Sequence, residues 1–392
     1  MLLASLSMLG PFSIDTPFPA FAEMRGEFGV GTSEMQWVVS TYMLAFAAMS
    51  PFHGPLSDAI GRKPVMVGGV AVYAVASIGC ALAPSFETLL VFRALQGLAA
   101  GGGVIVSRTV IRDVFDGPEA QRLMSIAMMI FGVAPALAPI IGGLLLQLGP
   151  WSVVFWFLAA VGLALSTATL ALLPETHPVE RRIPLRVGAL LQGLVRPARD
   201  LSFHRIAWSA ALAFGGQFLY IGAAAIFVVD LLGRGEMDFW MFFVPMIGGM
   251  VTGAWISGRS AGRISGRALI TGALCFSFVG ALVNVGLALG PTEAHLPWAV
   301  IGPALIAVGS GAAYPSQQLA LLDLHPESRG GVVSLFTFFS LVLNALVASL
   351  LVPHVTGSVL QLALAGLVMV TGGLACWIWH LRTVPPLVPA RP

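Results

Sequence analysis

Runs of about 20 consecutive apolar residues recur along this chain, and they leave it very few folds. Twelve can be marked, near 2–22, 35–56, 65–84, 87–109, 122–147, 151–173, 205–230, 239–258, 267–289, 297–321, 331–352 and 358–381. A helix of that length crosses about 30 Å of hydrocarbon. Within lipid, every backbone N–H and C=O must be satisfied by a helix or by a closed barrel. The runs do not alternate polar and apolar residues, so a barrel is excluded. Composition agrees: 57% of the 392 residues are hydrophobic and 10% charged, against about 45–50% and about 25% in soluble domains. The expected fold class is all-α integral membrane, with twelve transmembrane helices in two six-helix halves.

The halves follow from the connections. Most are short, but 174–204 is polar and rich in arginine. The chain therefore reads as an N-terminal half over 1–173, a cytoplasmic linker over 174–204 and a C-terminal half over 205–392. With the N-terminus inside, seventeen of the twenty basic residues fall on the cytoplasmic side, Arg25 and Arg234 fall outside, and Arg93 lies within a span. That asymmetry fixes the orientation, with both termini cytoplasmic. Ala20-Phe21-Ala22 has the form of a signal-peptidase site. However, no positive charge precedes it, and Asp15, Pro17 and Pro19 interrupt the apolar stretch. The segment reads as the first transmembrane helix, and whether the N-terminus is complete stays open.

Charge is scarce enough that its positions are informative. Gly54–Pro64 packs Asp58, Arg62 and Lys63, the only lysine, into a turn between two apolar runs. Ser257–Arg263 occupies the corresponding place in the second half and is also small, glycine-rich and basic, but has no acid. Parallel halves of this kind are typical of secondary transporters. Asp15 and Arg93 are ionisable groups within apolar spans, which makes both functional candidates. At 1.5 Å per residue both sit about 10 Å below the outer surface, so Arg93 is the expected counter-charge of Asp15. Burial favours the neutral form of such a carboxyl and a nearby cation favours the charged form, a balance that allows proton exchange. The alternative is a static ion pair holding two helices. Asp113, Asp230 and Asp323 lie near span ends and read as solvated.

Four of these stretches carry a family resemblance. Gly54, Leu56, Asp58, Gly61, Arg62 and Lys63 fit the loop signature of the major facilitator superfamily, with Ala59 departing from its usual basic residue. Arg93-Ala94-Leu95-Gln96-Gly97 followed by Gly101 resembles the arginine motif of its fourth helix. Pro135, Pro139, Gly142 and Gly143 lie in a stretch similar to the antiporter motif of the fifth, with Ala138 replacing its first glycine. Asp15-Thr16-Pro17-Phe18-Pro19 resembles an element of the Bcr/CflA drug-resistance branch.

The resemblance implies proton-coupled export of small, mostly apolar compounds across a bacterial-type inner membrane by alternating access, by a monomer in the bilayer. It implies that Gly54, Asp58, Gly61, Arg62 and Lys63 latch one conformation, with Asp58 acting on a helix N-terminus or an arginine. Pro135, Pro139, Gly142 and Gly143 would form a tight seam against leak. The first, fourth, seventh and tenth helices would line the substrate cavity, which makes Gln96, Gln217, Tyr220, Tyr314 and Gln317 substrate-cavity candidates. A dedicated exporter of one metabolite of the same fold is the alternative.

Other classes find no support in the sequence. Gly258-Arg259-Ser260-Ala261-Gly262 spells a nucleophile elbow but sits in a basic hairpin between membrane spans. No phosphate loop or nucleotide fingerprint occurs, and Cys80, Cys275 and Cys376 fall in separate runs without metal-ligand spacing. The expectation is a transporter that is no enzyme, binds no nucleic acid, metal or other cofactor, and is driven by the proton gradient.

Overall fold

The computed structural model describes residues 1–224, 226–234, 238–290 and 295–383. Arg391, counted above among the basic residues, lies outside them. No strand occurs among the described residues, and the described residues of each expected span are mostly helical. The first helix, α1, is broken into Leu2–Ser7 and Leu9–Asp15, followed by a 3-10 turn Phe18–Ala20 and a short helix Phe21–Phe28. The break has a definite cause. Pro17 and Pro19 carry no N–H, so the carbonyls of Ser13 and Asp15 lose their partners four residues on. The chain tightens there, and the Ala20 N–H bonds to the Pro17 carbonyl at 3.0 Å.

The remaining helices of the N-terminal half are α2 (Trp37–Ile60), α3 (Arg62–Ala81), α4 (Phe86–Val114), α5 (Gly117–Leu145) and α6 (Ser152–Leu172). A linker helix, α7 (Val187–Arg199), follows. Then come α8 (Leu201–Gly222), α9 (Trp240–Ser260), α10 (Gly266–Ala288), α11 (Trp298–Leu324), α12 (Arg329–Leu346) and α13 (Val359–Thr383). Among the described residues, nine helical segments are long and apolar enough to cross a membrane. The broken α1, and α2 and α8 with their polar residues His53, Ser57, Asp58, His204, Arg205 and Gln217, are the other three.

The chain forms two compact units, Met1–Pro197 with His325–Leu341 and Ala198–Leu324 with Val342–Pro392. In the first, α4 is central and packs on α1, α2 and α3, and α6 covers α3. In the second, α11 packs on α8, α9 and α10, and α13 covers α10. The same pairings therefore recur after six membrane helices, which is the internal repeat in physical form. Within the first unit lies the start of α12, which meets α2 at two glycines.

Candidate functional site

Arg93 stands two turns into α4 and is fully buried. Its Nε donates to the Val38 carbonyl at 2.8 Å, and its Nη1 donates to the Ser13 carbonyl at 3.0 Å and to Gln96 Oε1 at 2.8 Å. The guanidinium also lies 4.7 Å from the centre of the Tyr42 ring. The cation is thus held by oxygen dipoles and an aromatic face. The Ser13 contact follows from the break in α1: with Pro17 four residues on, that carbonyl has no helical donor, and Arg93 supplies one. Around it, Gln96 Nε2 donates to Ser77 Oγ at 2.6 Å, the Cys80 thiol approaches Gln96 Oε1 at 3.6 Å, and Ser13 and Tyr73 share a hydroxyl–hydroxyl bond of 2.6 Å. Arg93 Nη2 is buried with no acceptor among the described residues.

The direct Asp15–Arg93 pair expected from matching depth is not made. The Asp15 side chain has neither an ion pair nor a hydrogen bond with any other described residue. Depth alone did not fix the azimuth. Ser13 faces Tyr73 and Arg93, and a residue two further on is rotated by about 200° around a helix, so Asp15 turns away from the cluster. It is partly exposed.

At the other end of the first unit, Gly54–Lys63 is not an extended turn but the end of α2 and the start of α3, with Gly61 alone outside a helix, and it is tied to α4, the linker and α12. Asp58 Oδ1 accepts from Arg62 Nη1, and Asp58 Oδ2 accepts from the Gly331 N–H at 3.2 Å, in the first turn of α12. Asp58 therefore reaches both an arginine and a helix N-terminus. Asp113, read above as solvated, is corrected by the structure: its carboxylate is largely buried between Arg62 Nε at 3.0 Å and Arg329 Nη1 at 2.9 Å. The end of α4 reaches the level of the loop, so a residue at a span end is not thereby at a water surface.

Gly54 is where α2 and α12 touch. A Cβ built there would lie 1.7 Å from the Gly330 carbonyl oxygen, and the Gly54 N–H donates to Ser334 Oγ at 2.8 Å. Gly61 has φ +115°, and a Cβ there would lie 2.4 Å from Glu175 Oε2. Glu175 was not singled out in the sequence. Its Oε1 accepts from the backbone N–H of Arg62 at 3.0 Å and of His177 at 2.9 Å, and its Oε2 accepts from that of Lys63 at 3.3 Å. The linker thereby caps the start of α3 from 113 residues away. Burial, with the Arg62 charge as the lesser cause, holds the pKa of the buried His177 below its ordinary value.

In α5, Gly142 is buried, and a Cβ there would lie 2.2 Å from the Thr16 carbonyl of α1. Gly143 faces open space, and Pro135 and Pro139 lie within an unbroken helix. The close seam is therefore made at Gly142. We expect Gly142→Val to push α5 off α1 and to destabilise the unit by about 1–3 kcal/mol as an overpacking change, with Gly143→Val near neutral. Thermal unfolding of the two purified variants checks the difference.

The substrate-cavity candidates are mostly committed to partners. Gln96 belongs to the Arg93 cluster. In the second unit Gln217 accepts from Ser310 Oγ at 2.7 Å and approaches Met250 Sδ at 3.3 Å, Tyr220 accepts from Asn284, and Gln317 donates to Ser209 Oγ at 3.0 Å. Each of these is almost fully buried. Tyr314 is partly exposed, with its ring 5.7 Å from that of Phe214.

A model of the Major Facilitator Superfamily matches residues 3–349. The chain belongs to that superfamily. Its members are transporters rather than enzymes. The chain is 28% identical to a bicyclomycin resistance protein homolog of Haemophilus influenzae, over 89% of this chain and 87% of that one. It is 25% identical to multidrug resistance protein D of Escherichia coli, over 96% and 94%. Among solved superfamily structures, the transporter FucP in its outward conformation superposes with a TM-score of 0.73 at 13% identity, over 97% of this chain and 98% of that one, a likeness of fold.

Proposed function

We propose that this chain is a proton-coupled efflux antiporter. It exports small hydrophobic or drug-like compounds across a bacterial inner membrane by alternating access. The observation that carries the reading is Asp15, an acid on a membrane helix with no ion-pair partner among the described residues, while the Arg93 guanidinium is already held by carbonyls. A carboxyl that is free of a fixed cation can exchange protons as its surroundings change. The resistance names of the relatives support drug-like cargo, as does the scarcity of charge within the spans. Efflux from everted vesicles across a panel of apolar antibiotics including bicyclomycin, read as collapse of an imposed pH gradient, tests it. Transport without any pH response refutes the coupling, and movement of a single metabolite only refutes the breadth.

In this reading Gly54, Asp58, Gly61, Arg62 and Lys63 steady one conformational state through Asp58 and Gly331, and Glu175 holds the loop in place. Glu175→Ala removes the acceptor for two N–H groups at the start of α3. It is expected to cost about 0.5–2 kcal/mol, the range for losing an N-cap. Glu175→Gln keeps an acceptor and should retain most of that stability. Thermal melts of the two variants decide it, and equal midpoints would refute the capping role.

A further inference from the structure

One end of the second unit gathers features that the transport reading does not use. There the start of α8, the start of α10 and the end of α13 come together. Arg205 of α8 lies with its guanidinium 4.6 Å from the centre of the Trp379 ring of α13, and its Nη1 donates to Thr383 Oγ1. Its Nε is buried and meets no acceptor, and no carboxylate pairs with Arg205 among the described residues. Next to it, His380 is buried, stacks on Trp377 at 5.3 Å between ring centres, and lies within the fields of Arg205, Arg267 and Asp200. Its Nδ1 also lacks a partner. Arg382, in the last turn of α13, is exposed.

Two tryptophans mark the level of this cluster. Trp208, one turn from Arg205, and Trp379 are 38% and 51% exposed, although a tryptophan in water gains nothing from exposure. Exposed tryptophans on membrane helices sit at the lipid headgroup boundary. The cluster therefore combines three arginines against one aspartate, an unfilled guanidinium donor, and an aromatic rim at headgroup depth.

We infer that this end of the second unit is a binding site for the phosphodiester headgroup of an anionic phospholipid, with Arg205 as its main donor and Trp379 as the flat wall beneath the glycerol. A phosphate oxygen on the accessible part of Arg205, which is partly exposed and which Thr383 and the ring occupy only in part, would add a charge-assisted hydrogen bond. Basic recesses between helices at a membrane surface bind such headgroups. The site lies within one unit, and its occupancy does not depend on whether the chain exports drugs.

The test uses the full-length protein, delipidated in detergent and titrated with phosphatidylglycerol, phosphatidylcholine or soluble glycerophosphate. Native mass spectrometry counts the retained adducts. The wild type should hold phosphatidylglycerol at least tenfold more tightly than phosphatidylcholine, and Arg205→Gln should lose that preference. If Arg205→Gln does not fold, Trp379→Leu and Arg382→Gln carry the same expectation, while Arg196→Gln, on the linker helix, should leave binding intact. Equal retention of the two lipids, or unchanged preference in the folded variants, overturns the site. Competition by glycerophosphate at the same concentration as the lipid also overturns it, because the ligand would then be a free phosphate ester.

Discussion

Asp15→Asn is expected to reduce pH-gradient-driven efflux to background, at least tenfold below wild type, while the protein still inserts and folds. Asparagine matches aspartate in size and removes only the ability to exchange a proton. Two effects that usually blur such an experiment are small here. Losing a carboxyl from a membrane helix does not hinder insertion, since a central aspartate costs about 2.5–3.5 kcal/mol on insertion scales. The Asp15 side chain also shares no ion pair or hydrogen bond with another described residue, so the change leaves the Arg93 contacts intact. Thermal stability should match wild type, and efflux and melting should separate cleanly. Normal efflux by this variant under an imposed gradient would sink the proposed coupling.

Arg93 should behave in the opposite way, because its replacement couples structure to transport. Two hydrogen bonds from the guanidinium tie α4 to α1 and to α2, and a third orients Gln96 one turn along the same helix. Hydrogen bonds from a charged donor contribute about 1.5–3 kcal/mol each, but burying the charge costs several kcal/mol in return. Truncation to alanine loses the bonds, leaves a void and again strands the Ser13 carbonyl that Pro17 has freed. A net loss of about 2–4 kcal/mol is expected, within the range for large-to-small core changes. Arg93→Met fills the void and removes the buried charge, so it should recover at least half of that stability. It should not recover transport. Melting temperature and efflux measured on the same preparations decide this. A methionine variant that exports at the wild-type rate would show that Arg93 serves packing alone.

Residue patterns dominated by a strong physical constraint were legible in the sequence. Lipid demands helices of a fixed length, so the spans could be marked from apolar runs, and the charges in Gly54–Lys63 marked the loop that meets α12. Contacts set by rotation about a helix axis or by distant chain segments were not legible. Asp15 and Arg93 share a depth but not a facing direction. Asp113 looked like a solvated span end because nothing in its neighbourhood announces Arg329, 216 residues later. Glu175 lies in a polar linker where acids are ordinary, and its role appears only when its carboxylate is seen on the N–H groups of Arg62 and Lys63. The glutamines and tyrosines of the candidate cavity are residue types that suit a substrate pocket. Most of them are paired inside their own unit, a fact carried by tertiary packing and not by local spacing.

The proline-freed carbonyl of Ser13 also has a consequence for biogenesis. Its donor, Arg93, is 80 residues further along the chain. At translation rates of about 5–20 residues per second, the ribosome needs about 4–16 s to make that stretch. During this interval the nascent α1 holds an unmet backbone acceptor and a carboxyl, both costly in hydrocarbon. The segment is therefore expected to stay beside water or the insertion machinery until α4 has been made, so that the order of assembly differs from the order of synthesis; protection of α1 in nascent chains arrested before and after α4 checks this.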